Sequence, residues 1–193
     1  AVTKRPQDVL GMHYFSPANV MRLLEIVRGD KTAPDVLKTA MDIARKTAKL
    51  PVVVGVCDGF VGNRMLARYG AQAQRLIEEG AMPWDVDRAL QNFGLAMGPF
   101  AMGDLAGLDV GWRIRKRRAA EGKGESNAPM ADALCELGRF GQKTSGGWYN
   151  YEKGSRTPIP SPEVEKIIKE AREKHQMRTR QISDEEIVKR CMY

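Results

Sequence analysis

The spacing of the apolar residues changes at Asp58 and Gly59, and this change limits what the chain can fold into. Before this dipeptide the apolar residues occur in short runs, and the last run, residues 51–57, is rich in valine and is typical of a buried strand. From residue 60 to 77 the apolar residues instead recur every three or four positions, as in a long amphipathic helix. We therefore predict an α/β remnant followed by a mainly α part. The predicted segments are a β-containing opening (1–57), a helical domain (58–152), and a linker with further helices (153–193).

The opening of the chain has the pattern of a β-hairpin. Residues 9–15 and 21–27 read as two strands, and SPAN at residues 16–19 reads as the turn between them. An antiparallel hairpin centred on this turn would place His13 directly across from Glu25, on the same face of the sheet. Their Cβ atoms would then be about 5 Å apart.

The predicted pair of His13 and Glu25 has the chemistry of a catalytic base. A carboxylate beside an imidazole favours the protonated ring, selects one tautomer and fixes its orientation. This arrangement suits a general base that accepts a proton from a hydroxyl group. A structural histidine–glutamate pair at the edge of a sheet would have the same spacing, so the spacing alone leaves both interpretations open.

The segment DGFVGNR at residues 58–64 joins the third strand to the first long helix. A glycine-containing turn at a helix start can bring backbone N–H groups near a ligand. Asn63, in the first turn, could donate to a carbonyl or hydroxyl group. An ordinary glycine turn explains the same residues equally well. Because the segment is not GxGxxG, it does not predict a dinucleotide site.

Periodicity and capping residues predict the remaining helices. Thr32 is the expected N-cap of a helix over residues 32–49, and Ser161 is expected to start a late helix. SDEE at residues 183–186 has the pattern of a capping box that opens the final helix. The other predicted helices cover residues 60–79, 83–93, 104–118 and 128–139.

Composition argues against several classes of function. The formal charge is +7, but the basic residues of segment 166–180 alternate with glutamates, so only the run 113–118 is a plausible anion site. No recognisable nucleic-acid-binding motif accompanies it, and we expect no nucleic-acid partner. No apolar run approaches the ~20 residues that a membrane span needs. Two histidines and three widely spaced cysteines without CxxC predict no metal site, and reduced thiols in the cytoplasm.

Six short motifs resemble those of the 3-hydroxyacyl-CoA dehydrogenase family, in the same order and, for the first three, at the same spacing. They are GMHYFSP (11–17), LEIVRG (24–29), DGFVGNR (58–64), MGP (97–99), DLAGLD (104–109) and QKTSGGWY (142–149). The resemblance covers residues 7–151 nearly without a break. LDVGWRIRK at residues 108–116 and the tail from Ile182 further resemble the multifunctional members, which fuse an enoyl-CoA hydratase unit to the dehydrogenase.

This resemblance implies a fold and an activity. The chain would comprise the last strands of a Rossmann-type NAD-binding domain and then the family's helical C-terminal domain. His13 would be the general base that removes the 3-hydroxyl proton of (S)-3-hydroxyacyl-CoA, and Glu25 would be its charge partner. Asn63 would contact the substrate, and Ser16 and Lys143 would contact NAD. The product would be 3-ketoacyl-CoA, formed in fatty-acid β-oxidation.

The chain also departs from the family pattern. Many members carry asparagine where this chain has Ser16. The family's Gly-rich βαβ turn, its ribose-binding acid and a serine that assists the histidine belong upstream of Ala1, so we expect a piece of a longer enzyme without meaningful turnover of its own. The alternative is a non-catalytic helical association module. We expect a homodimer through the helical domain, because the second repeat that covers this face in fused relatives would only begin near Ile182.

Overall fold

The computed structural model describes residues 3–122 and 128–193. The chain divides into two compact units, and the division falls inside one long helix, between Arg68 and Tyr69. Each unit contains its own cluster of buried apolar side chains. The first unit holds the opening strands, and the second holds most of the helices.

Short strands and longer helices follow one another along the chain. The strands are β1 (Leu10–Tyr14), β2 (Leu23–Arg28), β3 (Leu50–Gly55), β4 (Tyr149–Asn150) and β5 (Ile159–Pro160). The helices are α1 (Pro34–Lys46), α2 (Gly62–Glu79), α3 (Pro83–Phe93), α4 (Pro99–Ala106), α5 (Leu108–Ala120), α6 (Pro129–Glu136), α7 (Pro162–Lys174) and α8 (Asp184–Met192). Short 3-10 helices cover Pro6–Asp8 and Gln142–Thr144. In the part of the chain that the structure describes, no helix combines the length and the apolar character that crossing a membrane requires.

The first unit is built on a three-stranded sheet in the order β1-β2-β3. β1 and β2 form the antiparallel hairpin, and His13 is paired with Glu25, so the predicted register is confirmed. β2 and β3 run parallel, and α1 supplies the crossover that a parallel pair needs. Leu24 and Ile26 on β2 are fully buried against α1, whose Ala40 allows the helix to approach the sheet closely.

The start of α1 differs from the prediction. Thr32 is not the N-cap: α1 begins at Pro34, and Ala33 occupies the cap position without a side-chain hydrogen bond. The Thr32 hydroxyl instead donates to the carbonyl of Val9 at 2.6 Å and accepts from the amide of Gly29 at 3.0 Å. A proline suits the first helical position, because its missing N–H would have no partner there. Thr32 therefore ties together the chain segments beside β1 and β2.

The second unit is a helical body around one core. Its fully buried apolar side chains include Leu76, Ile77, Leu90, Phe100, Met130, Leu134, Trp148, Val164, Ile168 and Ile187. The last three of these lie on α7 and α8, so both late helices pack into the same core. Ser161 and Ser183 cap these two helices by accepting hydrogen bonds from backbone amides three residues on. The second half of the predicted capping box is not formed, because the Glu186 side chain binds Arg180 and Arg190 instead. The interpretation of the tail as the start of a second helical repeat stays a prediction.

The predicted helix over residues 104–118 is wrong, because two helices occupy this stretch. α4 ends at Ala106 and α5 begins at Leu108. Between them Gly107 has a φ of +97°, a backbone conformation that residues with a side chain rarely adopt. A Cβ atom on Gly107 would also lie 2.9 Å from Oδ1 of Asp109. The glycine therefore breaks the helix and lets the chain turn tightly.

A buried arginine on α7 holds the end of α2. The guanidinium of Arg172 donates to the carbonyl of Ile77 at 2.8 Å from Nε and to the carbonyl of Ala81 at 2.6 Å from Nη2. Arg172 is only 8% exposed. Carbonyl groups at a helix C-terminus lack intrahelical partners and carry partial negative charge, so a cation is favourable there. α7 thus stabilises the C-terminal end of α2.

Asp104 on α4 holds the aromatic segment that follows the second 3-10 helix. Its carboxylate accepts hydrogen bonds from the amides of Trp148 (2.9 Å) and Tyr149 (3.0 Å) and from the hydroxyl of Tyr151 (3.0 Å). Asp104 is 1% exposed. Asp87 has a matching role at the start of α4, where it accepts from two backbone amides. These two carboxylates connect segments that are distant in sequence.

Candidate active site

β1 and β2 bring the predicted base and its partner together. Nδ1 of His13 lies 2.7 Å from Oε2 of Glu25, which is a hydrogen-bonding distance. Glu25 is 1% exposed, whereas the side chain of His13 is 32% exposed. The carboxylate is therefore shielded from water, while the imidazole keeps an open part.

The second carboxylate oxygen of Glu25 binds the start of α2. Oε1 accepts hydrogen bonds from the amides of Gly62 at 2.7 Å and Val61 at 3.1 Å. The first amides of a helix lack intrahelical acceptors and carry partial positive charge, so a carboxylate stabilises them. A Cβ atom on Gly62 would lie 2.9 Å from Cζ of Phe15 and 3.5 Å from Oε1 of Glu25. A side chain at this position would therefore have to displace the ring of Phe15, whereas its distance to the carboxylate would be an ordinary contact.

The surroundings of Glu25 fix its charge. Burial raises the pKa of Glu25, but the hydrogen bonds from Gly62, His13 and Val61 together hold this pKa below its ordinary value. Glu25 is thus ionised at neutral pH and accepts the Nδ1–H of His13. This tautomer leaves the lone pair on Nε2. Within residues 3–122 and 128–193, Nε2 has no hydrogen-bond partner, so it is the atom available to take a proton.

Two phenylalanine rings contact the imidazole of His13. The ring centroid of Phe15 lies 4.8 Å from that of His13, and the centroid of Phe60 lies 5.5 Å from it. Phe15 directly follows β1, and Phe60 lies in the turn before α2. The sequence analysis did not single out either ring as a site residue. Phe60 is part of the DGFVG motif, which was identified in the sequence. The local sequence does not show, however, that its ring contacts a residue of β1.

The other predicted site residues lie on separate elements. Asn63 is exposed in the first turn of α2, in the same unit as the histidine–glutamate pair. Ser16 is exposed just after β1. Lys143 lies in the second unit, where its ammonium group is paired with Asp109. The structure brings the pair together, and the roles of Asn63, Ser16 and Lys143 stay predictions.

The thiols of Cys135 and Cys191 take no part in this chemistry. Cys57, Cys135 and Cys191 are all free cysteines. Burial raises the pKa of Cys135 to about 11 and that of Cys191 to about 11, so both thiols are protonated at neutral pH. Among the described residues, no three histidine, cysteine, aspartate or glutamate side chains are placed to share a metal ion.

Two models of protein domain families match consecutive parts of the chain. A model described as "3-hydroxyacyl-CoA dehydrogenase, NAD binding domain" matches residues 1–57, and one described as "3-hydroxyacyl-CoA dehydrogenase, C-terminal domain" matches residues 59–151. The chain belongs to the 3-hydroxyacyl-CoA dehydrogenase family. The resemblance and the fold class predicted from the motifs are thereby confirmed. In this family member, Glu25 from the first match binds the amide of Gly62 from the second.

Relatives of known name and structure agree with this assignment. The peroxisomal bifunctional enzyme of Cavia porcellus is 50% identical over 204 residues, which cover 99% of this chain and 28% of the relative. The dehydrogenase part of multifunctional enzyme 1 from C. elegans has a TM-score of 0.76 and 34% identity, covering 100% of this chain and 43% of that structure. The 3-hydroxybutyryl-CoA dehydrogenase of Escherichia coli K12 has a TM-score of 0.69 and 32% identity, covering 82% and 34%. This chain spans less than a third of the length of the Cavia porcellus relative.

Proposed function

We propose that this chain carries the catalytic base of an NAD-dependent enzyme that oxidises (S)-3-hydroxyacyl-CoA to 3-ketoacyl-CoA in fatty-acid β-oxidation. The observation that carries the proposal is the 2.7 Å contact between Nδ1 of His13 and the buried carboxylate of Glu25, with Nε2 left open. A general base needs such a proton-accepting atom, and the carboxylate supplies its counter-charge. The bifunctional and multifunctional names of relatives support a parent protein that combines this dehydrogenase with a second activity.

The histidine–glutamate pair handles the proton in this reaction. Nε2 of His13 takes the proton of the 3-hydroxyl group while the C–H bond at carbon 3 breaks and its electron pair leaves as hydride. NAD, when bound, supplies the acceptor for that hydride. Glu25 stabilises the imidazolium that forms, because its negative charge is buried and in direct contact with the ring. The proton then leaves through the exposed part of the imidazole.

Three further residues are proposed to bind the ligands. The exposed amide of Asn63 offers a donor and an acceptor to the substrate near the reacting carbon. Ser16 offers a hydroxyl group to NAD. Lys143 offers an ammonium group, which forms an ion pair with Asp109. The sequence contains no GxGxxG motif, so the pyrophosphate of NAD requires a phosphate-binding turn outside these residues.

The full-length parent is expected to form NADH from NAD and (S)-3-hydroxyacyl-CoA, which the absorbance of NADH reports directly. The matched control is the (R)-enantiomer at the same concentration, which is expected to give no NADH. A parent that forms no NADH with (S)-substrates of short, medium and long acyl chains contradicts the proposed function.

The isolated chain is expected to bind NAD weakly or not at all, since the phosphate-binding turn contributes much of the affinity in this class of domain. Isothermal titration calorimetry should stay flat as NAD is raised into the millimolar range. The full-length parent, titrated under the same conditions, is the positive control. Micromolar binding by the isolated chain would show that these 193 residues hold the NAD site by themselves, and would contradict the proposal.

A second proposed function is association through the helical unit. Large apolar side chains of this unit remain exposed, among them Phe93, Leu105, Val110, Ile114 and Leu137. α4 and α5 also line a groove of about 300 Å³ whose walls include the small residues Gly70, Gly103, Ala106, Gly107 and Gly111. We propose a homodimer through this surface, because two-fold pairing is the common solution for a self-complementary patch.

Sedimentation equilibrium at micromolar concentration is expected to show a dimer of the 21.5 kDa chain. Val110→Asp, on the exposed face of α5, should dissociate it, because a charge would enter the apolar interface. Val53→Asp, on the exposed edge strand β3, is the matched control and should leave the dimer intact. A monomer in the wild type rules out the homodimer, and the reverse response of the two variants would place the contact on the strands instead.

The cytoplasm stays our proposed compartment, on the ground of three free thiols. Several relatives instead carry the word peroxisomal in their names. Cell fractionation of the full-length parent distinguishes the two compartments: recovery with the cytosolic fraction supports the proposal, and recovery with peroxisomes contradicts it.

A further inference from the structure

The turn before α2 contains an unfavourable backbone conformation. Phe60 has a φ of +44°, directly after Gly59 at +76°. A positive φ is ordinary for glycine but disfavoured for a large side chain, whose Cβ crowds the backbone. Such conformations persist where the surrounding structure enforces them, and they concentrate at functional sites. A glycine at position 60 would form the same turn more easily, so the phenylalanine ring calls for an explanation.

The ring of Phe60 reaches the predicted base. Its centroid lies 5.5 Å from that of His13, with the ring planes inclined by 55°. Phe15 makes a similar contact with the same imidazole, at 4.8 Å and 56°. Tilted ring pairs at these distances are favourable, and they restrict how far each ring can rotate. The imidazole is therefore held by two aromatic contacts in addition to its bond to Glu25.

The residues that follow Phe60 hold the other member of the pair. The amides of Val61 and Gly62 donate to Oε1 of Glu25, whose Oε2 accepts from His13. One short segment, residues 60–62, thus contacts the imidazole through a side chain and the carboxylate through two backbone amides. The positive φ of Phe60 lets the segment make both kinds of contact, because it turns the ring and the next two amides toward the same pair.

We propose that Phe60 is a positioning residue for His13, which fixes the imidazole so that Nε2 faces the substrate hydroxyl. This inference rests on the proposed function, because it assigns Nε2 as the base. The strained turn lowers the stability of the folded chain, and in return it places both groups of the pair from one segment. Phe15 and Glu25 alone leave the imidazole more freedom to rotate about its side-chain bonds.

Phe60→Gly separates positioning from folding, because it removes the ring and relieves the backbone strain together. In the full-length parent, we expect kcat to fall by about ten- to a hundredfold, the scale of a misplaced catalytic group. KM should change by less than about twofold and Tm should not decrease, since glycine suits the positive φ. Phe60→Tyr, which keeps the ring, is the matched control and should retain kcat.

Nuclear magnetic resonance of the present chain supplies a readout without turnover. The chain has only two histidines, so the ring ¹⁵N resonances of His13 can be assigned by comparison with a His13→Gln variant. In the wild type these resonances should show one tautomer, protonated at Nδ1. In Phe60→Gly they should broaden or shift toward a tautomer mixture, and in Phe60→Tyr they should not.

The two proposals fail in different ways. A wild-type parent that forms no NADH ends the proposed function. An active parent in which Phe60→Gly keeps wild-type kcat and wild-type His13 resonances ends the positioning role alone. If kcat and Tm of Phe60→Gly fall together while the His13 tautomer is unchanged, Phe60 has only a structural role and the inference is also wrong.

Discussion

Replacing His13 with Gln or Ala in the full-length parent is expected to lower kcat by about 10²–10⁴-fold, the usual contribution of a general base. Both substitutions remove the lone pair on Nε2, and within the described residues no other titratable group contacts the carboxylate of Glu25. The measurement is the initial rate of NADH formation with saturating (S)-3-hydroxyacyl-CoA. KM should change little, because the imidazole acts mainly in the transition state.

Glu25→Gln is the companion variant for this experiment. It keeps the size of the side chain but removes the charge that stabilises the imidazolium, so the loss of kcat should be smaller than for His13→Ala. The acidic limb of the pH–rate profile should shift, because the side chain that faces the imidazole has lost its charge. A His13→Ala parent with near-normal kcat would end the catalytic assignment, whatever Glu25→Gln does.

Replacing Asp104 with Ala is expected to destabilise the helical unit by about 3–5 kcal/mol. The substitution leaves the amides of Trp148 and Tyr149 and the hydroxyl of Tyr151 without an acceptor, in a position that water does not reach. Each buried donor that loses its partner costs roughly 1–3 kcal/mol. Urea unfolding followed by circular dichroism measures the loss, and a change below about 1 kcal/mol would contradict the role assigned to this carboxylate.

Asp104→Asn is the control, and it also tests how the stability of the wild type depends on pH. Burial raises the pKa of Asp104 from its ordinary value of 3.8 to about 6, against the effect of its three donors. Because the pKa in the folded state is the higher one, this group stabilises the fold most below about pH 4, and that contribution is lost as the pH rises through about 6. Asn keeps an acceptor without a charge, so it should cost less than Ala and remove this part of the pH dependence.

The local features of this fold could be predicted from the sequence. The register that pairs His13 with Glu25 was predicted by centring the hairpin on residues 16–19. The connection between β1 and β2, residues 15–22, lies almost symmetrically about that centre. The bounds predicted for α3 agree with the structure, since Pro83 suits the first helical position and Gly94 suits the residue after the last. The motif spacing then identified the family, which the comparisons confirm.

The features that were missed depend on contacts between distant residues. Asp104 binds Trp148 across 44 positions of sequence, and no local pattern marks an aspartate as an acceptor for a remote loop. The ring of Phe60 belongs by sequence to a helix start, yet it contacts His13 on β1. Gly107 breaks a helix that periodicity alone would continue, and a Cβ atom there would lie 3.0 Å from Nζ of Lys143, which is remote in sequence.

The arginine that holds the end of α2 bears on where this protein can be divided. The match to the family's C-terminal domain stops at residue 151, but Arg172 and the buried side chains of Val164 and Ile168 lie beyond that point. Without α7, the carbonyl of Ile77 would lose its cationic partner and the core would lose one wall. The match to the family model therefore ends before the helical core is complete. The boundary that matters for an autonomous helical piece is set by the last side chain that closes the core, not by the residue at which the match to the family model stops.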